Sequence, residues 1–379
     1  MVTSIAYGVT LTDDPLLIGI IGAAYGLTYL ITPAVLGWLG DKFPRKTSLL
    51  IASSGQFVIA LYFLIFAGTP LLLIIGQVLL GIFYGFYWPS IEAFTSETSY
   101  SDGILTSDQA HKKNILSFCI AWSIGYMIGP LLAGIFADYF LPGAFITVIV
   151  VYVVEFFLIL ANLPTRMEST SEKKSNKSNQ QVPLIRQSQR THWSLYLELI
   201  VTVFVYAGIS KVLYTYFVDY ALDPNGLMWS DSTTGLILFL FGLGRTLFFI
   251  LNYFYIQIQS SIKLILYSLL GMGLCILGIA FFRHPVVISA LMLLAGISAA
   301  IIYSSTLDLM LHQAVQAKGA KAGLYESMIG LGSIVSPVVA GGIARKSSLT
   351  TPFLVFAGIT LGIFTVFFII EYLFRKKQG

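Results

Sequence analysis

Along this chain, apolar residues gather in blocks of about 20, separated by short segments rich in Asp, Lys, Arg, Gly or Pro. The blocks at 16–39, 48–66, 71–94, 115–136, 144–162, 195–216, 233–253, 264–282, 286–311, 324–344 and 353–374 suit helices crossing a ~30 Å hydrocarbon core at ~1.5 Å per residue. The pattern predicts an all-α polytopic membrane protein with about eleven full spans. Residues 1–11 are also apolar, yet they cover only about half a bilayer before the acidic turn of Thr12, Asp13, Asp14 and Pro15. They read as the outer half of a truncated first helix, with the true start codon upstream of Met1 or the helix itself shortened. A cleaved signal peptide fits less well, because no positively charged segment and no small-residue cleavage site accompany the stretch.

Composition supports the pattern: 56% of residues are hydrophobic and 11% charged, with mean hydropathy +0.83, far from the ~25% charge of soluble domains. Charge also orients the spans. Lys42, Arg45, Lys46, Lys112, Lys113, Lys173, Lys174, Lys177, Lys263, Lys318, Lys321, Arg375, Lys376 and Lys377 fall on one face, which the positive-inside rule makes cytoplasmic, C-terminus included. The opposite loops hold Asp13, Asp14, Asp138, Asp219, Asp223 and Asp231, with Arg283, Arg345 and Lys346 as basic exceptions. Cys119 and Cys275 fall inside predicted spans and read as packing residues.

Between the first two full spans, Gly37, Leu39, Asp41, Arg45 and Lys46 form a charged loop that cannot lie in hydrocarbon. This loop resembles the signature between the second and third helices of the major facilitator superfamily (MFS) of transporters. Pro44 departs from the pattern, standing where the family usually has glycine, so a permissive position becomes one with φ fixed near about −65°.

A polar segment rich in Ser, Lys, Asn and Gln divides the chain into an N-terminal bundle (1–162), a flexible cytoplasmic linker (163–192) and a C-terminal bundle (193–379). The two hydrophobic parts echo one another: Gly125, Pro130, Ala133, Gly134 and Ala137 recur in register as Gly332, Pro337, Ala340, Gly341 and Ala344. Gly81 and Gly85 have a weaker echo in Gly296 and Ala300. Internal repeats mark transporters that rock two bundles about a central site. The first copy resembles the fifth-helix motif prominent in drug/proton antiporters, in which small residues (here Gly125, Gly129 and Gly134) let helices approach and Pro130 bends the chain. The resemblance covers nearly the whole chain and implies two pseudo-symmetric six-helix bundles, the first helix cut short.

In the 71–94 block, Gln77, Gly81, Tyr84, Trp88, Glu92 and Thr95 share one helical face; the resemblance places that helix on the transport cavity. Gln77, which cannot titrate, stands where, by the resemblance, antiporters often have an arginine linked to proton handling. Three charges lie at mid-membrane depth, Glu155, Lys211 and Arg245, and a lone one costs ~2.5–3.5 kcal/mol on insertion scales. Gly208, Tyr214 and Thr215 share the face of Lys211; Gly242 and Asn252 share that of Arg245. Lys211 and Arg245, in helices that border the family's cavity, offer a positive field to an anion. Glu155 is expected to pair within its own bundle. Substrate-binding candidates are therefore Arg245, Lys211, Gln77, Tyr84, Trp88 and Asn252. For gating, Asp41 and Arg45 are expected to face Glu92 and Glu97, with Asp308 and Glu326 at comparable depth in the second bundle and Gly129 and Pro130 in the helix motif.

No phosphate-binding glycine loop, metal-ligand spacing or nucleophile elbow is present, so neither an enzyme nor a cofactor is expected, and the basic excess gives no reason to invoke nucleic acid. The expectation is a monomeric plasma-membrane transporter in the lipid bilayer. It is driven by a gradient of protons or another ion, or of a solute, and carries a small organic, anionic substrate by alternating access. A multidrug/proton antiporter is the alternative within transport, and a non-transporting sensor or receptor on the same fold is the alternative outside it.

Overall fold

Hydrocarbon offers backbone N–H and C=O groups no partner, so a chain this apolar closes its hydrogen bonds within helices. The computed structural model describes residues 2–40, 44–97, 107–163, 192–256, 260–312 and 318–376. Their elements are α1 (Val2–Leu11), α2 (Pro15–Tyr29), α3 (Thr32–Gly40), α4 (Arg45–Phe66), α5 (Pro70–Glu97), α6 (Ser107–Tyr139), α7 (Leu141–Asn162), α8 (His192–Tyr214), α9 (Tyr216–Leu222), α10 (Asp231–Leu251), α11 (Ile262–Phe281), α12 (Pro285–His312), α13 (Lys318–Lys346) and α14 (Thr351–Lys376). With α2–α3 and α8–α9 each forming one broken span, 11 spans among the described residues are long and apolar enough to cross a membrane.

Local chemistry sets the starts. The Asp14 carboxylate accepts from the Leu16 amide, with Pro15 beginning α2; Ser230 and Ser261 do the same for Thr233 and Leu264, each satisfying an amide that lacks a partner in the first turn. Pro33 removes a donor just after the α2–α3 break. α10 runs on into a π-helical turn at Asn252–Ile256.

α1–α7 precede residues 164–191 and make up the first half of the chain; α8–α14 follow them and make up the second. The most peripheral spans are α7 and α14, with 17% and 22% of their most apolar stretches buried, against 61% for α8–α9 and α10. They therefore face lipid. The predicted linker lies outside the described residues apart from its ends, Leu163 and His192. Lys46 donates to the Leu160 and Leu163 carbonyls at 2.8 and 2.9 Å, which satisfies carbonyls left unpaired at the end of α7.

The halves meet along α6–α10 and α2–α13, and the two interfaces are repeat-related. A Cβ on Gly19 would collide with the Pro337 carbonyl oxygen, and one on Gly235 with that of Pro130. At the start of these helices, a Cβ on Gly341 would strike the Pro15 carbonyl, and one on Gly134 that of Asp231. Small residues thus let backbones touch where apolar lipid supplies no hydrophobic drive. The expectation for the other small residues of the α6 motif is corrected: nothing lies within 4 Å of a Cβ on Gly125 or Gly129. These two face away from the partner helix, and Gly134 with the Pro130 carbonyl makes the approach.

Candidate functional site

A cavity of about 100 Å³ lies between the halves. Its walls are aromatic, with Trp88, Trp122, Tyr126, Tyr206, Tyr214 and Tyr303 around it, and three charged residues reach it: Lys211, Arg245 and Glu326.

Arg245 comes from the middle of α10 and is 2% exposed. Its guanidinium carbon lies 4.5 Å from the Trp122 ring centre, 5.1 Å from Tyr126 and 5.5 Å from Phe241. Nη2 donates to the Tyr214 hydroxyl at 3.1 Å, the Tyr206 hydroxyl is also within hydrogen-bonding reach, and Nε has no partner. No carboxylate among the described residues pairs with this cation. Aromatic faces attract a cation through their quadrupole, worth ~2 kcal/mol or more when desolvated. They leave the full positive charge available to a ligand. The Lys211 Nζ sits 4.4 Å from the Tyr25 ring centre, and both residues line the cavity.

A second cluster crosses between the halves towards the basic face. The Tyr29 hydroxyl of α2 donates to Glu326 Oε2 of α13. The Tyr303 hydroxyl of α12 donates to Glu92 Oε1 of α5 at 3.3 Å. The two carboxyls are within hydrogen-bonding reach of each other, and Glu92 Oε2 has no donor. Glu92 lies on the inward stripe it was expected to share with Trp88, and its side chain meets Tyr303 and Glu326. Asp41 lies outside the described residues, as does the side chain of Glu97, so the expected network is described only through Arg45, which opens α4.

The remaining candidates are dispersed. Trp88 lines the cavity; Tyr84 stacks on it and shares a hydrogen bond with Tyr152 at 2.9 Å. Gln77 is buried outside the lining, with neither amide atom partnered. Asn252 and Asp308 border a separate cleft of about 10 Å³ beside Ser304 and Ser305. Glu155 is in hydrogen-bonding reach of the Tyr87 hydroxyl within its own half. On the acidic face, Asp138 accepts from the Asp231 and Ser232 amides at 3.2 and 2.9 Å, and Arg345 lies 3.7 Å from Asp14. Arg345, an exception to the charge asymmetry, thus has an acidic neighbour across the halves. Tyr25, Tyr29, Trp122, Tyr126, Tyr206 and Tyr303 escaped the sequence reading. The four-residue spacing of Tyr25 with Tyr29, and of Trp122 with Tyr126, is the signal that could have found them.

Comparison with known proteins agrees with this architecture. An uncharacterized MFS-type transporter, YfkL of Bacillus subtilis (strain 168), is 25% identical over 369 residues, 97% of this chain and 89% of the relative. The crystal structure of the human organic anion transporter MFSD10 (TETRAN) superposes with TM-score 0.64 at 17% identity, covering 92% of this chain and 82% of that one. That of the nucleoside transporter NupG gives 0.61 at 15% identity, over 98% and 96%. At such identities these structures speak to the fold. A sequence model of the Major Facilitator Superfamily matches residues 1–314 and 224–378, and this multi-pass membrane protein belongs to that family of transporters.

Proposed function

We propose that this chain is a gradient-driven secondary transporter that carries a small organic anion by alternating access. The observation that carries the reading is Arg245, a buried cation held by aromatic rings and tyrosine hydroxyls without a carboxylate partner, at a cavity between two repeat-related halves. A buried charge without an acid partner is disfavoured unless something compensates it, and an anionic ligand would do so. Lys211 adds a second cation on the same cavity. Trp88 and Trp122 suit the apolar body of such a ligand. The basic face is the cytoplasmic side under the positive-inside rule, which places the C-terminus inside a cell whose plasma membrane holds a monomer. The bundles then comprise 1–162 and 193–379, joined by 163–192. A multidrug/proton antiporter would also use aromatic walls, but two cations on the cavity oppose a cationic drug.

The test is a thermal-shift and binding series on purified protein with small carboxylates, phosphate esters, nucleosides, sugars and cationic dyes. A ligand that binds only the folded state raises Tm. Anions are expected to stabilise the protein, and Arg245→Gln to weaken their binding at least ~10-fold, the lower range for losing a charge-assisted hydrogen bond. Stabilisation by cations alone, or unchanged anion affinity in Arg245→Gln, overturns the anion reading.

A further inference from the structure

We infer that Glu92 and Glu326 form the proton-binding site of this transporter: one proton shared between them holds the two halves together at the basic face, and its loss opens that face. The inference rests on the alternating-access reading above.

Each carboxyl is buried, 5% and 4% exposed, and they belong to different halves. Each has a single tyrosine donor, and that donor comes from the opposite half: Tyr29 for Glu326, Tyr303 for Glu92. An ionised carboxylate only accepts hydrogen bonds. Two ionised groups facing each other would leave Glu92 Oε2, which has no other donor, both unsatisfied and repelled. One proton resolves both problems, because a carboxyl O–H on one residue donates to the carboxylate of the other. Among the described residues, the titratable groups facing the pair are Tyr25 and Tyr29 of α2, Cys119 of α6, Tyr206 of α8, Tyr303 of α12 and Tyr325 of α13. None is a base that would replace the proton. Lys211 and Arg245 share the cavity; Lys211 Nζ lies over the Tyr25 ring, and Arg245 is held by Trp122, Tyr126, Phe241, Tyr214 and Tyr206.

The proton has a short way out. Glu92 lies five residues before the end of α5 at Glu97, about 8 Å along the helix axis. When the halves part there, the proton passes from the carboxyl oxygen to water at the basic face, and two carboxylates remain, each hydrated and repelling the other. The repeat makes the site one-sided. Glu326 and Cys119 each stand six residues before the first glycine of their repeat copy, Gly332 and Gly125, so the α6–α10 interface carries a thiol at this position where α2–α13 carries an acid.

Cys119 is fully buried beside Glu92 and serves as a native reporter. With Cys275→Ala, it is the only thiol in the chain. The full-length protein in proteoliposomes is exposed to a membrane-permeant maleimide across acid to alkaline pH, and each rate is divided by that of a free small thiol at the same pH. The normalised rate is expected to rise at least ~10-fold towards alkaline pH, the change that ~1.4 kcal/mol of repulsion between the halves produces. Glu326→Gln, whose amide can donate to Glu92 without a proton, should stay slow throughout, and so should Glu92→Gln. A flat profile in the native pair, or the native rise retained in whichever Gln variant folds, overturns the proton site. No substrate is needed, so a flat profile leaves anion binding at Arg245 standing; failure of the anion series with the pH rise intact removes the substrate class and spares the proton site.

Discussion

The α6–α10 and α2–α13 interfaces close on matching backbone contacts, Gly235 against Pro130 and Gly19 against Pro337, yet their side chains do different things. Arg245 follows Gly242 by three residues in α10, and Tyr29 follows Gly26 by three in α2. One interface therefore points a cation into the cavity, while the other points a phenol at an acid. The acidic face shows the same division. Asp138 and Arg345 both stand four residues after the packing glycine, Gly134 or Gly341. Asp138 meets the first amides of α10, whereas Arg345 meets the carboxylate that caps α2. Packing is shared between the copies and charge is assigned separately to each, so a symmetric frame holds an asymmetric site.

Steric changes at the shared contacts should have the largest effect. Gly19→Val and Gly235→Val each drive side-chain carbon into a backbone carbonyl that has no rotamer to yield, and transport is expected to fall at least ~100-fold in both, with ~1–3 kcal/mol lost from stability. Proteoliposome uptake and thermal unfolding measure this, and a large loss at one glycine with tolerance at the other would break the equivalence of the interfaces. Next come the side chains that differ. Trp122→Leu removes a ring from Arg245 and should weaken anion binding by ~1–2 kcal/mol. Tyr29→Phe takes the donor from buried Glu326 and should destabilise the fold by ~1–3 kcal/mol without a matching loss of anion affinity. Calorimetric binding beside unfolding separates the two, and the same profile for both variants would merge the sites.

Smaller effects belong to the acidic face. Asp138→Asn weakens an anion at a helix N-terminus and should cost ~0.3–1 kcal/mol, with its effect reduced by salt. Arg345→Gln breaks a pair whose side chains are 58% and 36% exposed, so a loss below ~1 kcal/mol is expected. Gly129→Ala, which meets no neighbour within 4 Å, should fall within about ±0.5 kcal/mol of the native stability.

Much of this fold was legible along the chain because lipid imposes a simple rule: apolar blocks of one length become spans. Lys211 and Arg245 stood out for the complementary reason, being charges where hydrocarbon disfavours them. The partners of the acids did not stand out. Tyr29 and Glu326 are 297 residues apart, Glu92 and Tyr303 are 211 apart, and helical periodicity assigns a residue to a face without saying which helix that face meets. Gly129 illustrates the same gap. Its spacing matches a packing motif, but only the arrangement of α6 against α10 shows that Gly134 makes the contact. The inward stripe did place Glu92 on the face that meets Tyr303, but it gave no sign that Glu326 would lie opposite.

The two outermost spans have unequal lengths. The α7 span has 22 residues and the α14 span 24, or about 33 and 36 Å of helix. Against a ~30 Å hydrocarbon layer the longer one carries the greater mismatch, which a helix relieves by tilting or by thickening the lipid around it. Bilayer thickness therefore acts unevenly on this molecule, bearing on the half that contains α14 before the half that contains α7.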